Sequence, residues 1–218
     1  DTVVQSIDVY ADDATATQAY AARLIQAGTC ADTVALITGA NTITGLAEGV
    51  YDGLTLGAEA TFAAEGVEGK LRYDPMSMRP FMSYAEGPYA QHWLDIVGAA
   101  KHQPIFAHVN WFQRDAEDGH FLWPGYRENL RALLWLCQFK DGEVTGRQTA
   151  VGVIPTEDEL GMEGLDLPQA DLDRILDIDI ARWREEMGHR QEHLEQFPNL
   201  PEEIWVAHRR VAEALDQA

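Results

Sequence analysis

Lysine is nearly absent from this sequence. Among 218 residues it occurs three times, at Lys70, Lys101 and Lys140, and 16 basic side chains face 36 acidic ones for a net charge of −20. A surface of that sign repels phosphate backbones and anionic headgroups, which excludes nucleic acid and membranes as partners. Cysteine is as scarce. Cys30 and Cys137 lie in opposite halves of the chain and form neither a disulfide framework nor a zinc pair, so both are expected as buried thiols in a reducing compartment. No apolar run approaches the roughly 18 residues of a membrane span, and no signal-peptide pattern opens the chain, so a cytoplasmic protein is expected.

What is present is enough for a core: 46% of residues are apolar and six are Trp. One domain, or one with a small appendage, is expected. The charge has two readings. Lysine-poor acidic surfaces suit high salt, where carboxylates stay hydrated, while a plainly acidic, Arg-biased protein needs no such habitat. They part in a thermal melt. If self-repulsion limits stability, the melting temperature rises as KCl shortens the Debye length from about 10 Å at 0.1 M to about 3 Å at 1 M; a flat or falling melting temperature speaks for the plainer reading.

Along the chain, Val3, Val4, Ile7 and Val9 suggest a strand, Asp12 or Asp13 caps a helix carrying Tyr20, Leu24 and Ile25, and residues 33–38 (TVALIT) read as a buried strand. Residues 1–48 are thus expected as a short β-α-β segment, ending in a loop at 39–45 (GANTITG). TVALITGAN resembles the start of a short-chain dehydrogenase, but the glycine spacing and a following Tyr-x-x-x-Lys are missing. Residues 59–70 (EATFAAEGVEGK) are rich in small side chains, as in a surface loop or a mobile lid. An amphipathic segment at 80–97 places Tyr89, His92, Trp93 and Ile96 on one face. Residues 105–112 (IFAHVNWF) read as a strand buried on both faces, and 129–137 as a helix with Leu130, Leu133, Leu134 and Cys137 in register. Two helices are expected at the end, one opened by Asp166 and Pro168 with the stripe Leu172, Ile175, Leu176, Ile180, Trp183, Met187 and Leu194, the other by Asn199 and Pro201. The fold class is mixed α/β (α+β): a small sheet, a lid loop, an aromatic-rich loop and two long C-terminal helices.

Residues 108–129 crowd Trp111, Phe112, Phe121, Trp123 and Tyr126 around Pro124-Gly125 and close on Asn129. So many rings either fold into a small core or present faces to a flat π-ligand such as a purine, with the Asn129 amide reading the base edge. Among the histidines, His102, His108 and His120 do not share a helix face and no spacing completes a metal triad. His108, inside a strand, is expected as a hydrogen-bonded core residue, and His189 and His193 as a solvated pair. Glu157-Asp158-Glu159 and Glu185-Glu186 are expected as solvated charge.

Three phrases in order, YDPMSMRPF (73–81), FAHVNWFQRD (106–115) and FLWPGYREN (121–129), closely resemble the GTP-dependent phosphoenolpyruvate carboxykinases, which read DPxAMRPF, FHVNWFRKD and FLWPGFGEN. The similarity continues through VGVIPTEDELGMEGLDL (151–167), and GAEATFAAEG (57–66) is similar to the start of the family's lid, RSEATAAAE. It covers residues 49–218, the C-terminal lobe. The resemblance implies a guanine site for GTP or GDP in which Phe112 and Tyr126 sandwich the base, Phe121 lines it, Trp111 lies beside it and Asn129 hydrogen-bonds it. Tyr126 stands where the family has Phe, and stacking needs only the ring. Glu59, Ala60, Thr61, Ala63 and Glu65 would belong to the lid, which in the family closes over the substrates and excludes water.

The departures concern catalysis. None of the three Lys is followed by Ser or Thr, so no GK[ST] phosphate loop is present, and GANTITG lacks both arginines of the family's GGRRPAG. The family's manganese ligands lie upstream of the matched region. The resemblance therefore implies manganese or magnesium for a complete enzyme, with no ligands for it here, and a separate or missing lobe as a partner.

Overall fold

The computed structural model describes residues 39–43, 45–59, 71–75, 78–101 and 104–218, with β1 at Gly39–Ile43, α1 at Leu46–Leu54, β2 at Gly57–Glu59, β3 at Leu71–Tyr73 and α2 at Glu86–Gly98. There follow β4 (Phe106–Asn110), α3 (Leu130–Asp141), β5 (Arg147–Thr149), β6 (Gly152–Ile154), α4 (Gln169–Leu176), α5 (Ile180–Leu194) and α6 (Glu202–Gln217). The expected strands at 3–9 and 33–38 and the helix near Tyr20 lie outside the described residues.

Four strands form an antiparallel sheet in the order β4-β1-β6-β5, and β2 pairs with β3 in a separate ribbon. The mixed α/β class is as expected. Residues 39–43, expected as loop, are instead a strand. Gly39 lies opposite Asn110 and Ile43 opposite Phe106, so this backbone supplies the ladder that β4 requires. Small residues give a strand no alternation to read, which is why composition misled. Strand β4 is not buried on both faces either: His108 and Asn110 are buried and Ala107 is exposed.

Two layers of helix bury the sheet. Val50, Tyr51 and Leu54 of α1 meet Tyr89 and Ala90 of α2, Trp183, Met187 and Leu194 of α5, and Ile204, Ala207 and Leu215 of α6. Helix α1 lies close to β4 because Gly49 carries no side chain; a Cβ there would stand 2.2 Å from the Phe106 ring. The inward face of α2 is Tyr89, Ala90 and Val97 with half-buried Trp93 and Leu94, while His92 and Ile96 point outward. A second cluster packs Ala132 and Trp135 of α3 on Val153, Leu160 and Leu172. On α3 it is Leu133 that points inward, and Leu134 is 45% exposed. Gly142, at φ 76°, ends α3 in the left-handed conformation that lets Glu143 N–H reach the Gln138 carbonyl.

The single helix expected after Pro168 is two. The stripe is continuous, but Asp179 accepts from Arg182 N–H at 3.0 Å and caps a new helix, so α4 and α5 meet at Asp177–Asp179.

Buried polar groups tie the core together. Arg190, 3% exposed, donates from Nη1 to Asp52 Oδ1 at 3.2 Å and from Nε to Glu186 Oε1 at 3.1 Å, and Asp52 Oδ2 lies 3.2 Å from His108 Nδ1. His108 is thus a hydrogen-bonded core residue, as expected. Glu186 is not solvated charge, because helical spacing points it inward with Arg190. Nor is Glu159, which accepts from Trp135 Nε1 and from the N–H groups of Thr145, Gly146 and Thr156. His193 likewise leaves the solvated face: it is buried, stacked on Tyr73 with ring centroids 4.2 Å apart.

Burial, with the charge of Arg79, holds the His193 imidazole down at about 4. The unfolded chain takes up that proton near pH 6.5 and the folded one only near 4, so this contribution to stability is full above pH 6.5 and is lost as pH falls towards 4. The urea midpoint is therefore expected to fall from pH 7 to pH 4.5, less steeply in His193→Gln. An unchanged slope in that variant contradicts the assignment.

Candidate functional site

Strand β4 delivers the aromatic segment. Asn110 Oδ1 accepts from Phe112 N–H at 2.9 Å, and the chain then folds into a hairpin in which Leu122 N–H donates to Gln113 O at 2.9 Å and Asp115 N–H to His120 O at 2.8 Å. Its turn is built on Asp115, whose Oδ1 accepts from Glu117 and Asp118 N–H, and on Gly119 at φ 76°. Arg114 pairs opposite Phe121 and lays its guanidinium 3.9 Å from that ring's centroid.

The segment sorts its rings into two groups. Leu122 and Trp123 are buried with Ile175 beneath the hairpin. Phe112 and Phe121 stand outside, 37% and 45% exposed, meeting edge to face with centroids 6.3 Å apart and planes at 68°. The core reading thus holds for Leu122 and Trp123, while the rings of Phe112 and Phe121 stay outside it. Trp111 lies between the groups; its Nε1 and Gln113 Oε1, a buried donor and a buried acceptor, line a cavity of about 10 Å³, the size of one water. Tyr126 lies in a short 3₁₀ turn, Tyr126–Glu128, entered through Gly125 at φ 102°.

Asn129 precedes α3 where a helix cap is normal, yet its side chain does not cap. It is buried, and its Oδ1 accepts from Trp123 Nε1 at 2.9 Å. That bond fixes the amide so that Nδ2, the donor end, faces away from Trp123. Sequence reasoning named Asn129 and missed Trp123 as its holder; an indole six residues away across a Pro-Gly turn was the available signal.

Of the lid residues, Glu59 lies in β2 opposite Leu71 of β3, so the ribbon holds the two ends of 60–70 side by side. Ala60, Thr61, Ala63 and Glu65 lie outside the described residues.

Asp115, Asp118 and His120 bring their ligand-capable atoms within 4.8 Å of one another. They are already committed. Asp115 binds backbone N–H groups and the Arg174 guanidinium, and His120 sits between Asp118, at 2.5 Å, and Asp171, at 3.2 Å. A catalytic divalent ion needs open positions, so this donor set does not fit one. Backbone and side-chain hydrogen bonds hold the Asp115 and Asp118 carboxyls below their ordinary range, and the bonds to Asp118 and then Asp171 raise the His120 imidazole.

Compared with known proteins, the chain matches the family described as phosphoenolpyruvate carboxykinase C-terminal P-loop domain over residues 3–214. The chain belongs to the phosphoenolpyruvate carboxykinase family. It is 41% identical over 156 residues to the phosphoenolpyruvate carboxykinase [GTP] of Thermoplasma volcanium, covering 72% of this chain and 26% of that protein. It is 40% identical over 149 residues to the protein of the same name from Anaeromyxobacter dehalogenans strain 2CP-1, covering 68% and 25%, and 38% identical over 169 residues to that of Chlamydia muridarum, covering 77% and 28%. The chain thus spans about a quarter of the length of the curated relatives it matches. Among the described residues no helix is long and apolar enough to cross a membrane.

Proposed function

We propose that this chain is the guanine-reading part of a GTP-dependent phosphoenolpyruvate carboxykinase, which as a complete enzyme converts oxaloacetate and GTP to phosphoenolpyruvate, GDP and CO2. One arrangement carries the reading: Phe112 and Phe121, both over a third exposed, flank the hairpin that leads to a buried, pre-oriented Asn129 amide. With Oδ1 held by Trp123, Asn129 offers hydrogens. Guanine presents the O6 acceptor to such a donor, whereas adenine presents an N6–H2 donor of its own. In this reading Phe112 and Tyr126 would sandwich the base with Phe121 lining it and Trp111 beside it, and the lid of Glu59, Ala60, Thr61, Ala63 and Glu65 would close over the substrates.

Phosphate handling and the manganese or magnesium of the reaction belong to a lobe that supplies the missing GK[ST] sequence, as a separate or covalently joined partner. A second reading follows from the same absence: a shortened relative without catalysis that binds a nucleotide or a protein.

Calorimetry separates base recognition from its absence. GDP is expected to bind in preference to ADP, weakly, at roughly millimolar concentration because most phosphate contacts are lacking. Phe112→Ala removes a stacking face of about 1–3 kcal/mol and should leave no measurable binding. Equal heats with ADP would overturn the guanine assignment.

A further inference from the structure

No residue of the proposed base site lies on α4, yet α4 holds the hairpin that Phe112 and Phe121 flank. Arg174 of α4 pairs with Asp115 at the turn, and Asp171, one helical turn earlier, accepts from His120 Nε2 at 3.2 Å. Asp171 Oδ1 also lies 4.0 Å from Arg174, and His120 Nδ1 faces Asp118 Oδ1 at 2.5 Å. The five groups alternate in sign along the contact: Asp115, Arg174, Asp171, His120, Asp118. One further cation of the hairpin lies near: Arg114 donates from Nη1 to the carbonyl of Gly119, beside His120, at 2.9 Å.

We propose that Asp171 and Arg174 are positioning residues of the base site: with His120 protonated they clamp the hairpin tip to α4 and hold Phe112 and Phe121 in place. The consequence for base affinity rests on the reading of those rings as a guanine slot; the clamp itself does not. A charged His120 gives three carboxylates two cations. A neutral one leaves the same carboxylates sharing Arg174 alone, and their mutual repulsion then works against docking. The hydrogen bonds from His120 to two carboxylates favour its charged form, so the clamp is complete below the ordinary imidazole range, near pH 6.5, and loosens as pH rises through the raised value. Neither Phe112 nor Phe121 touches α4 through these contacts. The coupling runs through the hairpin backbone, where Asp115 N–H to His120 O and Leu122 N–H to Gln113 O join the tip to the rings.

The test compares the 218-residue chain with His120→Gln, Asp171→Asn and Asp171→Glu at pH 6 and pH 8. Two readouts are used: hydrogen exchange of the Asp115 and Leu122 amides, corrected for intrinsic rates, and NMR titration with guanosine, which has no phosphate to titrate. In the parent chain, protection of both amides and guanosine affinity are expected to be about twofold to fivefold higher at pH 6, the size that exposed charge pairs give. His120→Gln should abolish the pH dependence, Asp171→Asn should reduce it because Asp118 still faces His120, and Asp171→Glu should restore it. If protection is the same at both pH values, or its pH dependence survives in folded His120→Gln, the clamp is overturned. If protection responds as expected but guanosine does not bind, the clamp stands and the guanine slot is what fails.

Discussion

Replacing Arg190 by leucine is expected to cost about 3–5 kcal/mol of stability, the usual result of removing one partner from a buried ion network. In a chain of this size that lowers the melting temperature by about 6–20 °C. The loss follows from what remains. Asp52 and Glu186 are 8% and 9% exposed and both depend on the same guanidinium, which also lies over the Tyr51 and Trp183 rings. Burial alone would push the Asp52 carboxyl up; the His108 hydrogen bond and the Arg190 charge outweigh it and hold the group at about 2. Asp52 therefore supports the fold at all pH values above its unfolded range near 4 and ceases to as pH falls towards 2. Combining Arg190→Leu with Asp52→Asn and Glu186→Gln should recover part of the loss, since neutral partners need no counter-charge. A cost below about 1 kcal/mol for Arg190→Leu alone would show that the network is hydrated and does not hold the core.

Purified alone, the chain is expected to show no GTP-dependent decarboxylation of oxaloacetate above background, with manganese or with magnesium. Phosphoryl transfer rests on positioning and on charge around the γ-phosphate, and losing one stabilising group costs about 10²–10³ in rate. Here the phosphate-loop lysine and both loop arginines are absent together, and residues 39–43, where those arginines would fall, are committed to strand β1. Activity that returns when a phosphate-loop lobe is added makes the chain one part of a divided enzyme. Continued absence favours the shortened binding module. Robust turnover by the chain alone would transfer catalysis to other groups, among Arg72, Arg79, Arg114, Arg127 and His108.

Long periodic segments were legible and polar ones were not. Helix α6 begins after Pro201 as its composition says, because its apolar stripe and its proline start agree. The break between α4 and α5 was hidden, since the apolar stripe runs through it and only the Asp179 cap marks the new start. Glu159 and Glu186 were misjudged for a related reason, while Glu157, Asp158 and Glu185 are exposed as expected. A one-dimensional pattern does not show that Glu186 and Arg190, one turn apart on α5, meet Asp52 from α1. In the aromatic segment the residue types were readable as a group, but not their division into buried Trp123 and exposed Phe112 and Phe121, which depends on packing against Ile175 of α4.

The guanine slot is tested most directly by an NMR titration of the ¹⁵N-labelled chain that follows the Asn129 side-chain amide and the Trp123 indole N–H, with GDP and ADP added separately at up to several millimolar. The predicted result is a saturating shift of both signals with GDP, a much smaller one with ADP, and none with GDP in Phe112→Ala. Equal shifts with the two nucleotides, or an Asn129 amide that does not respond to GDP, would contradict it.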